Sequence, residues 1–353
     1  MQDNIEKWFR PDIVKMSPYV PGEQPQAGKF IKLNTNENPY PPSPKVIEAL
    51  QQAIVNRLER YPDPLATSFR IRAAEVLGVT PDHILCGNGS DDILTIVTRA
   101  FVGQGDRLRL PYPSYILYRT LAQIQGAAWE EIPFTRDYQL EDAFSQASPN
   151  LKLVFLPNPN SPSGTMLTPD QISTLADRLP CPLLVDEAYA DFADCNCVEL
   201  VKTNPKIMVS RTLSKSYALA GLRFGFLVAH PEIVKMLRKV KDSYNTDLIS
   251  IAGATAAIDD QEWLKSNRAK IVATRHRIEQ ETRELGFEVT NSQANFVWCT
   301  HGSRPVQPIY EALKQQRVLV RYMNYPGWGD GLRVSIGTDD QMNAVMSLLK
   351  SLV

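Results

Sequence analysis

The sequence predicts an α/β protein with a large domain, whose mostly parallel mixed sheet is covered by helices, and a smaller α+β domain. Several apolar runs of strand length are continuous rather than alternating, which is typical of strands buried on both faces. Helical patterns separate these runs, as in parallel strands joined by crossover helices. The length of 353 residues is enough for about two domains of ordinary size.

The large domain is predicted over residues 38–245. Its strand candidates are residues 83–86, 106–110, 151–156, 183–185, 207–210 and 224–228. Apolar residues keep helical spacing over 93–101 and again over 172–179, so we expect helices between the strands.

The smaller α+β domain is predicted over residues 246–353. A long helical pattern over 260–285 comes first, and strand candidates follow at 287–290, 295–299, 318–321 and 331–336. Residues 1–37 contain Pro11, Pro18, Pro21 and Pro25, which exclude a continuous helix or a central strand. We therefore expect an extended N-terminal arm that packs with the small domain.

Charge and composition favour an enzyme that acts on small molecules. The 38 basic and 39 acidic side chains nearly cancel and form no block of like charge, which argues against binding to nucleic acid or an anionic membrane. There is no signal-peptide pattern and no bilayer-length apolar run, so we expect a cytoplasmic protein. The four histidines and five cysteines are not spaced as metal ligands, so we expect reduced thiols and no metal.

A glycine-rich turn after the first strand candidate of the large domain predicts an anion site. Ligands of open α/β sheets bind beyond the carboxyl ends of the strands. Residues 87–92 let the chain turn tightly before a helix, and Ser90 and Asp91 stand at its start. The free N–H groups of such a helix start can hold a phosphate. The alternative is an ordinary capped helix.

Polar groups also follow the next strand candidates. Asn158 opens a proline-rich turn at 157–164, and Asp186 follows a buried strand with Tyr189 one step along the next turn. A carboxylate at the strand tip can hold a proton on a heterocyclic nitrogen. A plain turn and a helix cap are the alternatives for these two segments.

Lys215 lies among hydroxyl groups and between Arg211 and Arg223. Such a lysine can hold an aldehyde cofactor as a Schiff base while its neighbours neutralise a phosphate. An isolated lysine would more often be a solvated surface charge. A lysine, a carboxylate and a phosphate cradle on successive strand ends match the requirements of pyridoxal 5'-phosphate.

The chain resembles the fold-type I aminotransferases, which use pyridoxal phosphate, and among them most closely the histidinol-phosphate aminotransferases. The segments that carry the likeness are residues 36–44, 61–64, 87–92, 158–164, 186–192, 211–223 and 332–338. Their order and spacing agree over almost the whole chain. The resemblance implies the fold-type I architecture and transamination of histidinol phosphate with 2-oxoglutarate by a ping-pong cycle in histidine biosynthesis.

The resemblance implies a role for each ring-binding residue. Lys215 would form the Schiff base and then move a proton as the catalytic base. Asp186 would keep the pyridine nitrogen protonated. Asn158 and Tyr189 would hydrogen-bond the phenolic oxygen of the cofactor, and Tyr115 would stack on the ring.

The resemblance also implies how the phosphate is held. Ser90, Asp91, Ser214 and Arg223 would bind it within one chain, and Tyr61 would reach it from a partner subunit. A homodimer is therefore implied. A lysine beside Arg223 in a pocket that excludes water should have a lowered pKa.

Arg321 and Arg333 lie in short strand candidates of the small domain and could fork onto a substrate anion, although exposed strand arginines are the alternative. The resemblance implies that both arginines contact the substrate. The phosphate of histidinol phosphate would then take the position of an amino acid's carboxylate. Tyr19 in the arm would add a further contact.

Specificity stays open between related reactions. The loop at 325–331 is rich in glycine and aromatic residues, and Tyr40 and Trp328 could stack on imidazole or phenyl alike. An aromatic or broad-specificity aminotransferase, a threonine-phosphate decarboxylase and a scaffold without turnover are therefore alternatives. Asp92, Ser161, Ser163 and Ser216 depart from the commonest family pattern without removing a proposed catalytic group.

Overall fold

The computed structural model describes residues 5–17, 22–24, 28–55 and 58–353. Within this part of the chain the strands are β1 (Ile31–Leu33), β2 (Ile84–Gly87), β3 (Arg107–Tyr112), β4 (Ala128–Pro133), β5 (Leu151–Pro157), β6 (Leu183–Asp186), β7 (Ile207–Thr212), β8 (Gly225–Val228), β9 (Glu288–Val289), β10 (Phe296–Thr300), β11 (Val318–Tyr325) and β12 (Gly329–Ser335).

The α-helices in the same residues are α1 (Pro11–Val14), α2 (Pro44–Ile54), α3 (Thr67–Leu77), α4 (Ser90–Phe101), α5 (Leu117–Ile124), α6 (Pro169–Arg178), α7 (Pro231–Leu237), α8 (Leu248–Asp259), α9 (Gln261–Glu284), α10 (Gln307–Gln315) and α11 (Asp339–Leu352). Short 3₁₀ helices lie at Ile5–Trp8, Pro81–His83, Asp142–Ser145, Ala190–Phe192, Val198–Lys202 and Ala220–Leu222.

The large sheet has the strand order β2-β8-β7-β6-β5-β3-β4 in the described chain. Strands β3 to β7 run parallel, and β8 runs antiparallel between β7 and β2. The mostly parallel α/β fold predicted from the sequence is confirmed. Strand β4 was not predicted, because it lies at the sheet edge and its residues are not a buried apolar run.

Helices cover both faces of the large sheet. Side chains alternate along each strand, so Val154 and Val185 enter one core while Phe155 and Leu184 enter the other. Continuous apolar sequence is therefore what these buried strands require.

Helix α8 packs in the first of these two cores. Its Ile251, Ala254 and Ile258 lie in the same cluster as Val154 of the large sheet. The residues that pack on the large sheet thus continue past residue 245, where the sequence reasoning placed the domain boundary.

The smaller sheet has the order β1-β11-β12-β10-β9 in the described residues. Only β1 and β11 pair in parallel there, and the other pairs are antiparallel. Helices α9, α10 and α11 contribute Ile278, Leu313 and Met342 to its core, which also holds Val297 and Val334.

The N-terminal segment is not uniformly extended. It forms two short helical segments before β1 joins the edge of the smaller sheet. Helix α1 packs against α5 of the larger body, and Arg10 donates a hydrogen bond to the carbonyl of Ile124. The segment therefore touches both bodies rather than the small one alone.

None of the described helices is long and apolar enough to cross a membrane. In the same residues, no group of three histidine, cysteine or acidic side chains is arranged to hold a metal ion. All five cysteines are free thiols.

Candidate active site

A cavity of about 260 Å³ lies at the carboxyl ends of β5, β6 and β7, where ligands of parallel sheets bind. The smaller sheet and the segment before α2 close its other sides. The sequence-predicted residues that line it are Ser90, Asp91, Tyr115, Asp186, Tyr189, Ser214, Lys215, Arg223, Arg321 and Arg333. The fold therefore brings together groups from distant parts of the sequence.

Lys215 is the amine of this cavity. Its Nζ donates a hydrogen bond of 2.9 Å to the carbonyl of Thr35 and lies 5.9 Å from the centre of the Tyr189 ring. Burial, and then the charge of Arg333, lower its pKa to about 8. The sequence reasoning assigned the charge effect to Arg223, whose contribution is the smaller one.

The loop that carries Lys215 is fixed from two sides. Asn38 Nδ2 donates to the carbonyls of Lys215 and Ser216 at 3.1 and 3.0 Å. Ser216 Oγ donates to Asp191, which also forms an ion pair with the buried Arg211. The lysine therefore projects from a well-held backbone.

Asp186 is a buried carboxylate at the end of β6, only 6% exposed. It accepts hydrogen bonds from Tyr118 Oη at 2.8 Å, from Ser210 Oγ at 3.1 Å and from the backbone N–H of Ala188 at 3.2 Å. Burial raises its pKa, while the bonds from Tyr118 and Ser210 oppose that rise.

Tyr118 was missed in the sequence reasoning. It lies three residues after Tyr115, and the two rings meet edge to face at 5.6 Å. Tyr115 precedes α5 and Tyr118 lies in its first turn, so no helical spacing relates the two residues in the sequence.

The start of α4 lies close to Arg223 and to the first residue of β8. Gly89 has φ of +81°, and Arg223 Nη1 donates to Ser214 Oγ at 3.3 Å beside it. Arg223 also pairs with Asp91 at 3.5 Å. A Cβ on Gly225 would lie 2.5 Å from the backbone of Gly89, so only glycine permits this approach. Backbone N–H groups at the start of α4 and the guanidinium of Arg223 thus lie at the same end of the cavity.

Tyr189 is oriented by the N-terminal segment. Its hydroxyl accepts a hydrogen bond of 2.9 Å from Asn36 Nδ2, and its ring packs edge to face on Phe296 at 5.1 Å. Asn36 in turn donates its backbone N–H to Ser335 Oγ at 2.8 Å. Sequence reasoning gave Asn36 no role of its own.

Asn158 does not line the cavity. Its carboxamide oxygen accepts from the N–H of Leu167 at 2.7 Å, and its Nδ2 donates to the Leu167 carbonyl at 3.0 Å. Pro157 and Pro159 on either side form the cavity wall instead.

Arg321 and Arg333 face each other across the β11–β12 pair. Arg333 Nη1 donates to Ser161 Oγ at 2.8 Å, and its Nη2 donates to the carbonyl of Asn34 at 3.2 Å. Both guanidinium groups therefore stand in one wall of the cavity that also holds Lys215.

Three other predicted residues, Tyr40, Tyr61 and Trp328, do not line the cavity. Tyr61 is 79% exposed and stacks on Tyr244 with the rings 4.5 Å apart, while Tyr19 lies outside the described residues. Tyr40 and Trp328 do not line the cavity: Lys270 lies over the Tyr40 ring, and Trp328 packs on Tyr138.

The family of class I and II aminotransferases matches residues 28–349 of this sequence. This chain is a member of that family. The resemblance drawn from the sequence motifs is thereby confirmed.

Relatives of this class I and II aminotransferase match it almost from end to end. It is 59% identical to the histidinol-phosphate aminotransferase of Rhodopirellula baltica over 343 residues, which cover 97% of this chain and 95% of the relative. It is 44% identical to histidinol-phosphate aminotransferase 1 of Trichormus variabilis, covering 99% of this chain and 100% of the relative.

A solved structure shares the architecture of this aminotransferase. The crystal structure of histidinol-phosphate aminotransferase from Sinorhizobium meliloti, in complex with pyridoxal-5'-phosphate, superposes with a TM-score of 0.90. The two sequences are 26% identical, and the match covers 98% of each chain.

Proposed function

We propose that this aminotransferase transfers the amino group of histidinol phosphate to 2-oxoglutarate, a step of histidine biosynthesis. The observation that carries the proposal is the pair Arg321 and Arg333, which face each other in the cavity wall opposite the large sheet. Two adjacent guanidinium groups suit a phosphate or a carboxylate. The relatives named above, at 59% and 44% identity, support the same substrate.

The residues of the cavity fit pyridoxal phosphate. A buried carboxylate, Asp186, lies at one side, and the start of α4 with Ser214 and Arg223 would offer an anion site. The glycines at 89 and 225 permit the close approach of the two backbones there. When bound, the cofactor supplies an electron sink for the carbon that carries the amino group. Asp186 would hold the proton at the pyridine nitrogen, which strengthens that sink.

Further residues would orient the group. Ser90, Asp91, Ser214 and Arg223 would hold its phosphate through the helix start and the guanidinium. Tyr115 would stack on the ring. Tyr189 would hydrogen-bond the phenolic oxygen. Asn158 would do so only after its Nδ2 gives up its contact with Leu167 or Cys197.

Lys215 would act as the general base of the reaction. A pKa of about 8 leaves part of its amine unprotonated near neutral pH, so it can take a proton from the substrate carbon and return it. The hydrogen bond to Thr35 and the Asn38 contacts hold it at one side of the cavity. An ordinary surface lysine would be almost wholly protonated at this pH.

The same two arginines would serve both half-reactions. Histidinol phosphate carries a phosphate and no α-carboxylate, whereas glutamate carries carboxylates. Arg333, held by Ser161 and Asn34, presents a fixed fork to either anion. Tyr19 would add a contact from the N-terminal segment.

A homodimer would complete the phosphate site. Tyr61 is exposed and stacked on Tyr244, away from its own cavity, which suits a residue that reaches the site of a partner subunit. Mixing the inactive variants Tyr61→Ala and Lys215→Ala tests this arrangement. We expect the mixture to regain activity, because one site of each mixed dimer has both residues, and no recovery after subunit exchange would contradict it.

Two further assignments complete the proposal. The two sheet-centred bodies would be the domains, with the boundary after α8 because that helix packs against α2 and α3 in a core shared with the large sheet. The enzyme would act in the cytoplasm, where five free thiols stay reduced.

Steady-state rates with competing substrates test the proposed function. Histidinol phosphate should give the highest kcat/KM with 2-oxoglutarate as acceptor, compared with phenylalanine, tyrosine and threonine phosphate. A higher value for phenylalanine or tyrosine would assign the enzyme to aromatic amino acids. Release of carbon dioxide from threonine phosphate would assign it to the decarboxylases.

A further inference from the structure

The tip of the β11–β12 hairpin contacts the large body outside the cavity. Arg136, in the loop after β4, donates a hydrogen bond of 2.8 Å from Nη2 to the carbonyl of Gly327. Its guanidinium carbon lies 4.9 Å from the centre of the Trp328 ring. One side chain therefore holds both the backbone of the tip, through a charged hydrogen-bond donor, and its Trp328 ring, through a cation–π contact.

The loop that carries Arg136 is itself built around an unfavourable conformation. Tyr138 has φ of +56°, in the left-handed region that bulky residues avoid, and it is 8% exposed. Its ring packs on Trp328 at 5.1 Å and on Phe134 at 5.8 Å. Such conformations persist where the surrounding contacts hold them, and here those contacts include the hairpin tip.

A second contact reaches the hairpin from β3. The hydroxyl of Tyr112 donates to the carbonyl of Pro326 at 3.2 Å, and its ring meets Tyr325 edge to face at 5.9 Å. Strands β3 and β4 are parallel neighbours, so both contacts come from the same edge of the large sheet. The tip is therefore held by contacts both from β3 and from the loop after β4.

The hairpin carries the arginines assigned to the substrate. Residues two apart on a strand share a face, and Arg321, Met323 and Tyr325 of β11 all line the cavity. Arg333 lies opposite Arg321 on β12. The strands are joined by their ladder of hydrogen bonds, and β10 holds β12 at Arg333 from the other side. Contacts at the tip therefore add to the contacts of the sheet in setting where the two guanidinium groups stand.

We propose that Arg136 and Trp328 form a latch between the two sheets, and that Arg136 is a positioning residue for anion binding by Arg321 and Arg333. The role assigned to these two arginines rests on the proposed function. When the latch is broken, only a fraction of molecules holds the hairpin in place, and the apparent affinity for the anion falls by that fraction. The proton transfer at Lys215 involves neither latch residue.

The kinetic test uses Arg136→Ala, Trp328→Ala and the double variant, with Arg304→Ala as the control for loss of an exposed arginine outside the latch and the cavity. We expect KM for histidinol phosphate to rise about tenfold in Arg136→Ala, which loses both contacts, and by a smaller factor in Trp328→Ala, which keeps the hydrogen bond to Gly327. The rate constant kcat should change less than about twofold, since bound substrate restores the position of the hairpin. The rise in the double variant should be smaller than the product of the two single effects, because both changes remove the same cation–π contact.

A second readout does not depend on turnover. Hydrogen exchange of the amides in Tyr325–Gly329 of the holoenzyme should become faster in Arg136→Ala, while Arg136→Lys, which keeps a cation and a donor, should be intermediate. Unchanged exchange at the hairpin tip in both single variants would overturn the latch. Faster exchange, in an enzyme that does not use histidinol phosphate, would support the latch and overturn the proposed function instead.

Discussion

Tyr118 donates a hydrogen bond of 2.8 Å to Asp186, and both side chains are buried. Burial raises the pKa of the carboxyl group, and the phenol opposes this effect by stabilising the charged form. The phenol thereby orients the Asp186 carboxylate and favours its charged form.

Removing that phenol should weaken cofactor binding. In Tyr118→Phe the carboxylate loses a charge-assisted hydrogen bond of about 1.5–3 kcal/mol, so the Kd for pyridoxal phosphate should rise about tenfold or more. An absorbance titration of the apoenzyme measures it, with Tyr310→Phe, a tyrosine of α10 in the smaller body, as the control. Equal affinity in wild type and Tyr118→Phe would contradict the role of this bond.

The reactivity of Lys215 should change near pH 8. Only the unprotonated amine condenses with an aldehyde, and the lowered pKa makes that form available at lower pH than for a free lysine. The rate of condensation with pyridoxal phosphate should rise as the pH increases through about 8 and then level off. Stopped-flow absorbance measures it, and a rate that still climbs steadily beyond the ordinary lysine pKa would show that the pocket does not lower it.

Arg333 should affect both the pKa of Lys215 and the binding of the substrate anion. Because its charge lowers the Lys215 pKa, Arg333→Ala should move the midpoint of that pH profile upward. The same variant should raise KM for histidinol phosphate and for glutamate together, by about tenfold or more, because a charge-assisted fork is lost. Arg333→Lys should restore substrate affinity only in part, since an ammonium group cannot donate two parallel hydrogen bonds to one anion as a guanidinium does. Loss of only one substrate would exclude a shared anion site.

Glycine at position 225 should be required for the phosphate site. A methyl group there would meet the backbone of Gly89 and Ser90 at 2.5 Å, so one of the two segments must move. Gly225→Ala should lower the free energy of unfolding by about 1–3 kcal/mol and weaken cofactor binding. Gly221→Ala is the matched control, because its added methyl meets nothing within 4 Å. Chemical denaturation of both variants gives the comparison, and equal stability would contradict the close approach.

The sequence predicted the features that depend on strand ends. Continuous apolar runs located β5, β6 and β7, and a parallel sheet necessarily brings their carboxyl ends together. Asp186 and Lys215 follow two of those ends, so their presence in one cavity could be predicted without coordinates.

Features that depend on packing could not be predicted in this way. Thr35 and Asn36 contact Lys215 and Tyr189 from about 150 to 180 residues away in the chain, and no local pattern encodes such a pairing. The larger effect of Arg333 on the Lys215 pKa depends on how the small sheet faces the large one. Likewise, the rings of Tyr40 and Trp328 turn to neighbouring cations instead of the cavity.

One lysine, Lys215, should bind the cofactor covalently. The most direct test is borohydride reduction of the holoenzyme followed by mass spectrometry of its peptides, with Lys215→Ala as the matched variant. The reduced cofactor is expected on the peptide that contains Lys215, with no stable label on Lys215→Ala. A label on another lysine, or an unlabelled Lys215 in the wild-type protein saturated with pyridoxal phosphate, would contradict it.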